Sequence, residues 1–317
     1  MQEADEHVMD PKAAFYQKRV VLTSLALVCC FLWGSAFPCV KIGYSWFQIE
    51  STDTATQLVF AGLRFTIAGV MAIFFASVPQ RRFLAPTKHS VSHIAVLALF
   101  QTILQYLFYY VGLAHTTGVK GSILNGTTTF FGFLFAAFLF RMEKMTSRKI
   151  IGCLLGFAGL VLVNLGGGGL NFEFTLIGEG FMLLASASSA MSSSFIRIFG
   201  QKDDPVMLSG YQFLTGGIVL TAVGLLTGGS LTFHGVKCVL LLLYMAMVSS
   251  VAYSVWGTLL KYNPVSKVTI FGCLFNVIGV ILSAILLQEY SQLNLNYLIA
   301  LVLVTAGIIV VNKGEET

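Results

Sequence analysis

Ten apolar stretches follow one another with only short polar breaks, near residues 20–44, 55–79, 91–114, 117–140, 147–166, 174–198, 205–227, 236–260, 264–288 and 292–312. A membrane-spanning helix needs about 20 mostly apolar residues, so this succession predicts ten transmembrane helices and leaves no room for a soluble domain. Composition agrees. Of 317 residues, 56% are hydrophobic and 10% are charged, against about a quarter charged in a soluble domain. The first stretch is too long for a cleaved signal sequence, and no small-residue cleavage site follows it.

Ala158-Gly159-Leu160-Val161-Leu162-Val163-Asn164 returns 148 positions later as Ala306-Gly307-Ile308-Ile309-Val310-Val311-Asn312. Each copy closes a block of five spans. Leu63-Arg64-Phe65 and Ala68-Gly69 align at the same offset with Tyr211-Gln212-Phe213 and Gly216-Gly217. Glu143 aligns with Glu289 after a two-residue shift. An odd number of crossings per block forces the second block to insert upside down. The expected fold is therefore all-α and integral to the membrane, with ten transmembrane helices as two inverted five-helix repeats, the plan of many secondary transporters. The divisions read as a cytoplasmic tail (1–19), a first repeat (20–166), an extracytoplasmic linker (167–173), a second repeat (174–312) and a tail (313–317). The Gly166–Gly169 run follows a spanning helix and lacks a Lys-Ser/Thr ending, so it reads as part of the linker and not as a phosphate loop.

Charge sets the orientation. With both termini in the cytoplasm, fifteen Lys and Arg fall on the inner side and three on the outer, Lys41, Lys120 and Lys237, with Arg64 inside a helix. That asymmetry predicts ten spans with both ends inside; the expected location is the cell inner (cytoplasmic) membrane, as a multi-pass protein. The six cysteines lack metal-ligand spacing and read as small packing residues. No metal, cofactor or nucleic-acid partner is called for. The expected partners are a small-molecule substrate and the lipid bilayer.

Polar groups at membrane depth mark candidate pathways. Arg64 lies about two turns inside the second span, either contacting an anionic solute or bonded structurally to carbonyls. In the third span Gln101, Gln105, Phe108 and Tyr109 share one face at helical spacing, and Tyr110 suits an interfacial belt. Asn125, Tyr253, Trp256, Asn276 and Trp33 complete the candidate substrate-binding set. The serines of span six read as a packing or sliding face. Gly152, Gly156 and Gly159 form a close-packing face, which would serve a weak homodimer or a neighbouring helix in a monomer. Acidic residues avoid mid-membrane apart from Glu179, near the outer end of span six, which favours facilitated diffusion or exchange over obligatory proton antiport.

Trp33-Gly34-Ser35-Ala36-Phe37 with Lys41, Arg64-Phe65 with Ala68, Tyr109 to Thr117, Phe138-Leu139-Phe140 with Glu143, and Gly178-Glu179 together resemble the drug/metabolite transporter superfamily, specifically its EamA-type ten-helix members. The resemblance covers about residues 20 to 312. It implies an exporter or facilitator of a small polar, amino-acid-like metabolite, working by alternating access around a central cavity. An organophosphate or nucleotide-sugar exchanger is the alternative within the superfamily, and a receptor or scaffold the alternative outside transport. This chain departs from the pattern at Thr129 and Phe275-Asn276, where proline is usual, and at Ser188-Ser189-Ala190, which lacks the usual tryptophan. No motif for a membrane enzyme is present: no Gly-x-Ser-x-Gly, His-Glu-x-x-His or paired carboxylates.

Overall fold

A computed structural model describes residues 11–81, 83–141, 146–164, 174–200, 202–263, 268, 271–290 and 295–312. The linker at 167–173, Glu143, Lys267 and the tail at 313–317 lie outside the described residues. Those described form ten helical rods: α1 (Arg19–Trp46), α2 (Thr54–Gln80), α3 (Ser90–Ala114), α4 (Gly118–Leu139), α5 (Ser147–Asn164), α6 (residues 176–199), α7 (Pro205–Leu226), α8 (Val236–Tyr262), α9 (Gly272–Leu286) and α10 (Leu295–Asn312). Six are long and apolar enough to cross a membrane, and α5, α9 and α10 carry shorter apolar stretches. The serine-rich α6 completes the set.

Local chemistry fixes the starts. Asp53 caps α2 by accepting from the Thr56 amide at 2.9 Å, and Thr117 caps α4 through the Lys120 amide. Asp204 caps α7 through the amides of Val206 and Met207, with Pro205 at the first helical position. A short helix, Pro11–Gln17, precedes α1. It docks on the end of α8, with Tyr16 stacked on Tyr262 at 5.3 Å and the Asn263 side chain donating to Tyr16 O. The face where α1 begins and α8 ends is called the near face below, and the opposite one the far face.

The inversion is visible atom by atom where α2 crosses α7. A Cβ added at Gly62 would lie 2.7 Å from the Gly217 carbonyl oxygen, and one at Gly69 would lie 2.8 Å from that of Gly210. The numbers rise on one helix as they fall on the other, so the helices are antiparallel. Gly62 and Gly69 become Gly210 and Gly217 at the repeat offset, so the two contacts exchange under a pseudo-twofold axis. Phe65 stacks on its own repeat mate Phe213 at 5.4 Å, on that axis. The same exchange relates Gly159 against Ala300 to Gly307 against Gly152, where α5 packs on α10. The close-packing glycines of α5 are thus occupied within the chain: a Cβ at Gly156 would meet Phe130, and Gly159 faces Val304. A homodimer through them would have to displace α10.

The first helix of each repeat packs into the other repeat. Helix α6 sits between α3 and α4, and α1 sits between α8 and α9. These two trios meet where α4 crosses α9, beside the α2–α7 and α5–α10 pairs. Spatial bundles and sequence repeats therefore differ by the exchange of one helix each.

Candidate functional site

Between the trios, at mid-depth, lies an aromatic chamber. Trp33 of α1 is ringed by Trp256 at 5.1 Å, Tyr253 at 5.4 Å and Phe275 at 5.9 Å. Tyr253 in turn meets Phe213 at 4.9 Å and the Tyr106 hydroxyl at 3.4 Å. Gln105 of α3 lies beside the same tyrosine. Trp33, Gln105, Tyr253, Trp256 and Phe275 are all partly exposed, so packing does not fully enclose them.

Two buried polar atoms of this cluster lack a hydrogen-bond partner among the described residues, Trp33 Nε1 and Gln105 Oε1, and on α4 so does Thr128 Oγ1. An unmet polar atom in a low-dielectric interior costs about 1–3 kcal/mol, and here they comprise one pure donor, one acceptor and one hydroxyl. Trp33 belongs to one trio, Gln105 and Thr128 to the other. A solute bonding both kinds would bridge the two bundles.

The roof of the chamber is amide and aromatic. Asn125 of α4 donates to Asn276 Oδ1 of α9 at 3.3 Å. Above it Tyr109 packs on Phe37 at 5.8 Å. Thr128, one turn nearer the near face than Asn125, is the repeat mate of Asn276 at the 148 offset, a signal that the sequence carries and the composition of span four obscures.

The structure does not bring Arg64 or Gln101 into the chamber. Arg64 is buried, its Nε donating to Met245 O at 3.1 Å, Nη1 to the Tyr110 hydroxyl at 2.8 Å and Nη2 to Ser249 Oγ at 3.0 Å. The guanidinium ties α2 to α3 and α8. Gln101 accepts from Gln212 Nε2 at 2.7 Å, and Gln212 accepts from the Thr102 hydroxyl. Gln212 and Gln101 are the repeat mates of Arg64 and Ser249, so these are one interaction written twice with different chemistry. Gln101 and Gln105 part company because residues 98–104 form a π-helix, whose wider turn breaks the four-residue spacing that predicts one shared face. Tyr110 is fully buried at the Arg64 contact and is no part of an interfacial belt.

The far end carries an ionic cluster. Lys120 and Glu179 pair at 3.0 Å, 7% and 3% exposed. Glu179 also accepts from the Thr116 hydroxyl and from both the amide and hydroxyl of Thr175. Lys120 is thus held by a carboxylate and does not snorkel. These groups line a recess of about 410 Å³ with His115, Thr117 and Tyr297. At the near end His93 Nδ1 meets Asp203 Oδ2 at 2.6 Å, while the Ser90 hydroxyl donates to Oδ1 at 2.5 Å. Those two bonds hold the Asp203 carboxyl below the usual carboxylate range. Ser188 of α6 donates to Phe100 O at 2.7 Å, so the serine face packs the helix against α3.

A sequence profile of the EamA-like transporter family matches residues 22–165 and 176–313, one copy per repeat. The chain is 29% identical over 265 residues to a WAT1-related chloroplastic protein of Arabidopsis thaliana, covering 77% of this chain and 61% of that protein. It is 26% identical over 282 residues to a probable amino-acid metabolite efflux pump of Escherichia coli, covering 84% of this chain and 86% of the pump. A solved crystal structure shares the fold, with a TM-score of 0.65 and 19% identity over 95% of this chain and 100% of the other.

Proposed function

This chain belongs to the EamA-like transporter family, and from that premise we infer that it carries a small, neutral or zwitterionic, amino-acid-like metabolite through the chamber around Trp33. Membership makes it a multi-pass membrane transporter. The substrate class and the direction of net flux, outward as exporter or facilitator with both termini cytoplasmic, are the inference.

One observation carries it: the Trp33 indole N–H and the Gln105 amide oxygen, on opposite trios, are both buried and without a partner among the described residues. An amino-acid-like solute offers a carboxylate to accept from the indole and an ammonium to donate to the amide, while its side chain lies against the rings of Tyr253, Trp256 and Phe275. Asn125 and Asn276 close the space above it. The naming of the Escherichia coli relative as an amino-acid metabolite efflux pump supports the same class. An organophosphate would need cations in the wall. Arg64 gives its donors to protein groups, Lys120 is paired with Glu179, and no charged residue is among these chamber walls.

Because bonding such a solute draws the two trios together, binding and closure are linked, which is what alternating access requires. The trios are the moving bodies, each three helices drawn from both repeats, in place of one repeat rocking against the other.

The test is thermal stability of the purified protein against amino acids, amines and phosphorylated metabolites, followed by counterflow in proteoliposomes with whichever solute stabilises it. A ligand at a hundred times its Kd stabilises by about 2.7 kcal/mol. Stabilisation by zwitterions that disappears in Trp33→Phe and Gln105→Leu supports the assignment. Stabilisation by phosphates alone refutes it.

A further inference from the structure

The hydrogen bonds and ring contacts that join the two trios lie at mid-depth or toward the far face. Tyr44 of α1 donates to Tyr110 O of α3 at 2.7 Å, Phe37 meets Tyr109, Asn125 meets Asn276, and Gln105 and Tyr106 meet Tyr253. Among the described residues, the contacts toward the near face stay within a trio. Phe195 packs on Phe100 and Phe140 in one, and Cys30 donates to Phe271 O in the other. A Cβ added at Gly132 on α4 or at Gly272 on α9 would meet nothing within 4 Å. Among the described residues, the bonds between the two bundles therefore concentrate toward the far face.

We propose that Glu289 is the latch that keeps the far face of this transporter shut. The proposal rests on the alternating-access reading above but on none of its substrate chemistry. Glu289 follows α9, and its two carboxylate oxygens accept from the amides of Gly118 and Val119 at 3.1 and 3.0 Å. Those amides open α4, in the other trio. The first amides of a helix have no partner of their own, and they present the positive end of the helix dipole to an anion. Of the ionic contacts among the described residues, Lys120–Glu179 and His93–Asp203 do not bridge the trios. Arg64 joins the trios from α2, through Tyr110 of one and Met245 and Ser249 of the other, whereas Glu289 joins them directly, from the end of α9 to the start of α4.

The surrounding packing is built for the same closure. A Cβ on Gly118 would lie 2.8 Å from Ser283 Oγ, and one on Gly279 would lie 2.8 Å from Ser122 Oγ. Glycine at both positions lets α4 and α9 touch along their far halves.

The experiment uses Ser283→Cys, a near-isosteric probe at a site that is 0% exposed behind the latch. Full-length protein in sealed vesicles is exposed to a membrane-impermeant maleimide at the far face, with Glu289 intact or as Glu289→Gln. Glu289→Gln removes the charge, keeps one oxygen to accept a neutral bond and sets an N–H donor against the second backbone amide; this shifts the closed-to-open balance, and labelling of the thiol introduced by Ser283→Cys should accelerate by about tenfold. Native Cys29 and Cys30, both 0% exposed within one trio, should stay protected. An unchanged rate overturns the proposal. So does a parallel rise at Cys29 and Cys30, because Glu289 would then be holding the fold together. Independently, a disulfide between Gly118→Cys and Ser283→Cys should stop solute exchange and release it on reduction; exchange that continues through the disulfide refutes a moving far gate. Faster labelling together with a flat ligand panel would leave the latch standing and remove only the substrate assignment.

Discussion

Replacing Arg64 by lysine separates the two roles open to a buried cation. The guanidinium makes three bonds in three directions, to Met245 O, the Tyr110 hydroxyl and Ser249 Oγ. A lysine ammonium places all its donors on one nitrogen and can reproduce at most one of these directions well. Two interhelical bonds are lost, at about 0.6–2 kcal/mol each in membrane proteins, so stability should fall by about 1–4 kcal/mol. The charge itself is retained, and with it the cost of burying an ion at 2% exposure. Since Arg64 does not reach the chamber, the affinity for the transported solute should change less than twofold (about 0.4 kcal/mol). The assay pairs thermal unfolding in detergent with ligand titration by intrinsic fluorescence, read below the transition of the variant. Wild-type stability combined with a tenfold weaker solute affinity would refute the structural role and return Arg64 to the binding site.

Three further outcomes follow from the geometry. Gly217→Ala should destabilise by about 1–3 kcal/mol through overpacking, because the new Cβ runs into the Thr66 amide and lies 2.8 Å from the Gly62 carbonyl oxygen, both backbone; Gly132→Ala, facing open space, should be neutral or gain up to about 1 kcal/mol of helix propensity, and equal melting temperatures for the two variants would count against the packing argument. Asp203 has its carboxyl held down by Ser90 and His93, so the stability it contributes is present above the ordinary carboxylate range near pH 4 and is lost as pH falls through the lower folded value. Asp203→Asn should flatten the acid limb of a stability–pH profile, and an acid limb identical to wild type would contradict this. Gly307→Ala should loosen the α5–α10 pair, where the Cβ would lie 2.6 Å from Gly152 O, lowering thermal stability without changing solute affinity in a binding titration.

Much of the architecture is legible in the sequence because the bilayer leaves the backbone few options. The repeat offset locates the pseudo-twofold axis without coordinates: Phe65 and Phe213 align at 148 and stack on each other. Trp33, Gln105, Tyr253 and Trp256 stand out as polar or aromatic groups at depth, and they converge. The differences have specific causes. Arg64 and Gln101 are as deep as the residues gathered around Trp33, and depth alone cannot say whether a donor meets solute or backbone. The π-helical turn at 98–104 rotates Gln101 away from Gln105, and nothing in the residue types announces such a turn. Phe275 is hidden by its ordinary hydrophobicity, and the exchange of α1 and α6 between repeats leaves no mark on linear order.

The repeat also isolates what a solute site adds to a symmetric scaffold. The offset carries Trp33 to Phe181 and pairs Trp256 with Phe108, and Phe108 and Phe181 do meet edge to face at 5.2 Å, matching the 5.1 Å of the tryptophans. One pair carries two indole N–H groups and the other carries none. Tyr253 is the mate of Gln105, and Arg64 the mate of Gln212. Packing is therefore kept across the axis while hydrogen-bonding chemistry is not. A scaffold that only needed to fold would tolerate phenylalanine at both pairs, and burying an indole donor without a partner is a cost with no structural return. On the proposed reading, asymmetry of this kind, polar on one side of the axis and apolar at its mate, makes the trio of α1, α8 and α9 the side that recognises the solute and leaves the partner trio, with its clasped α3 and α6, to close over it.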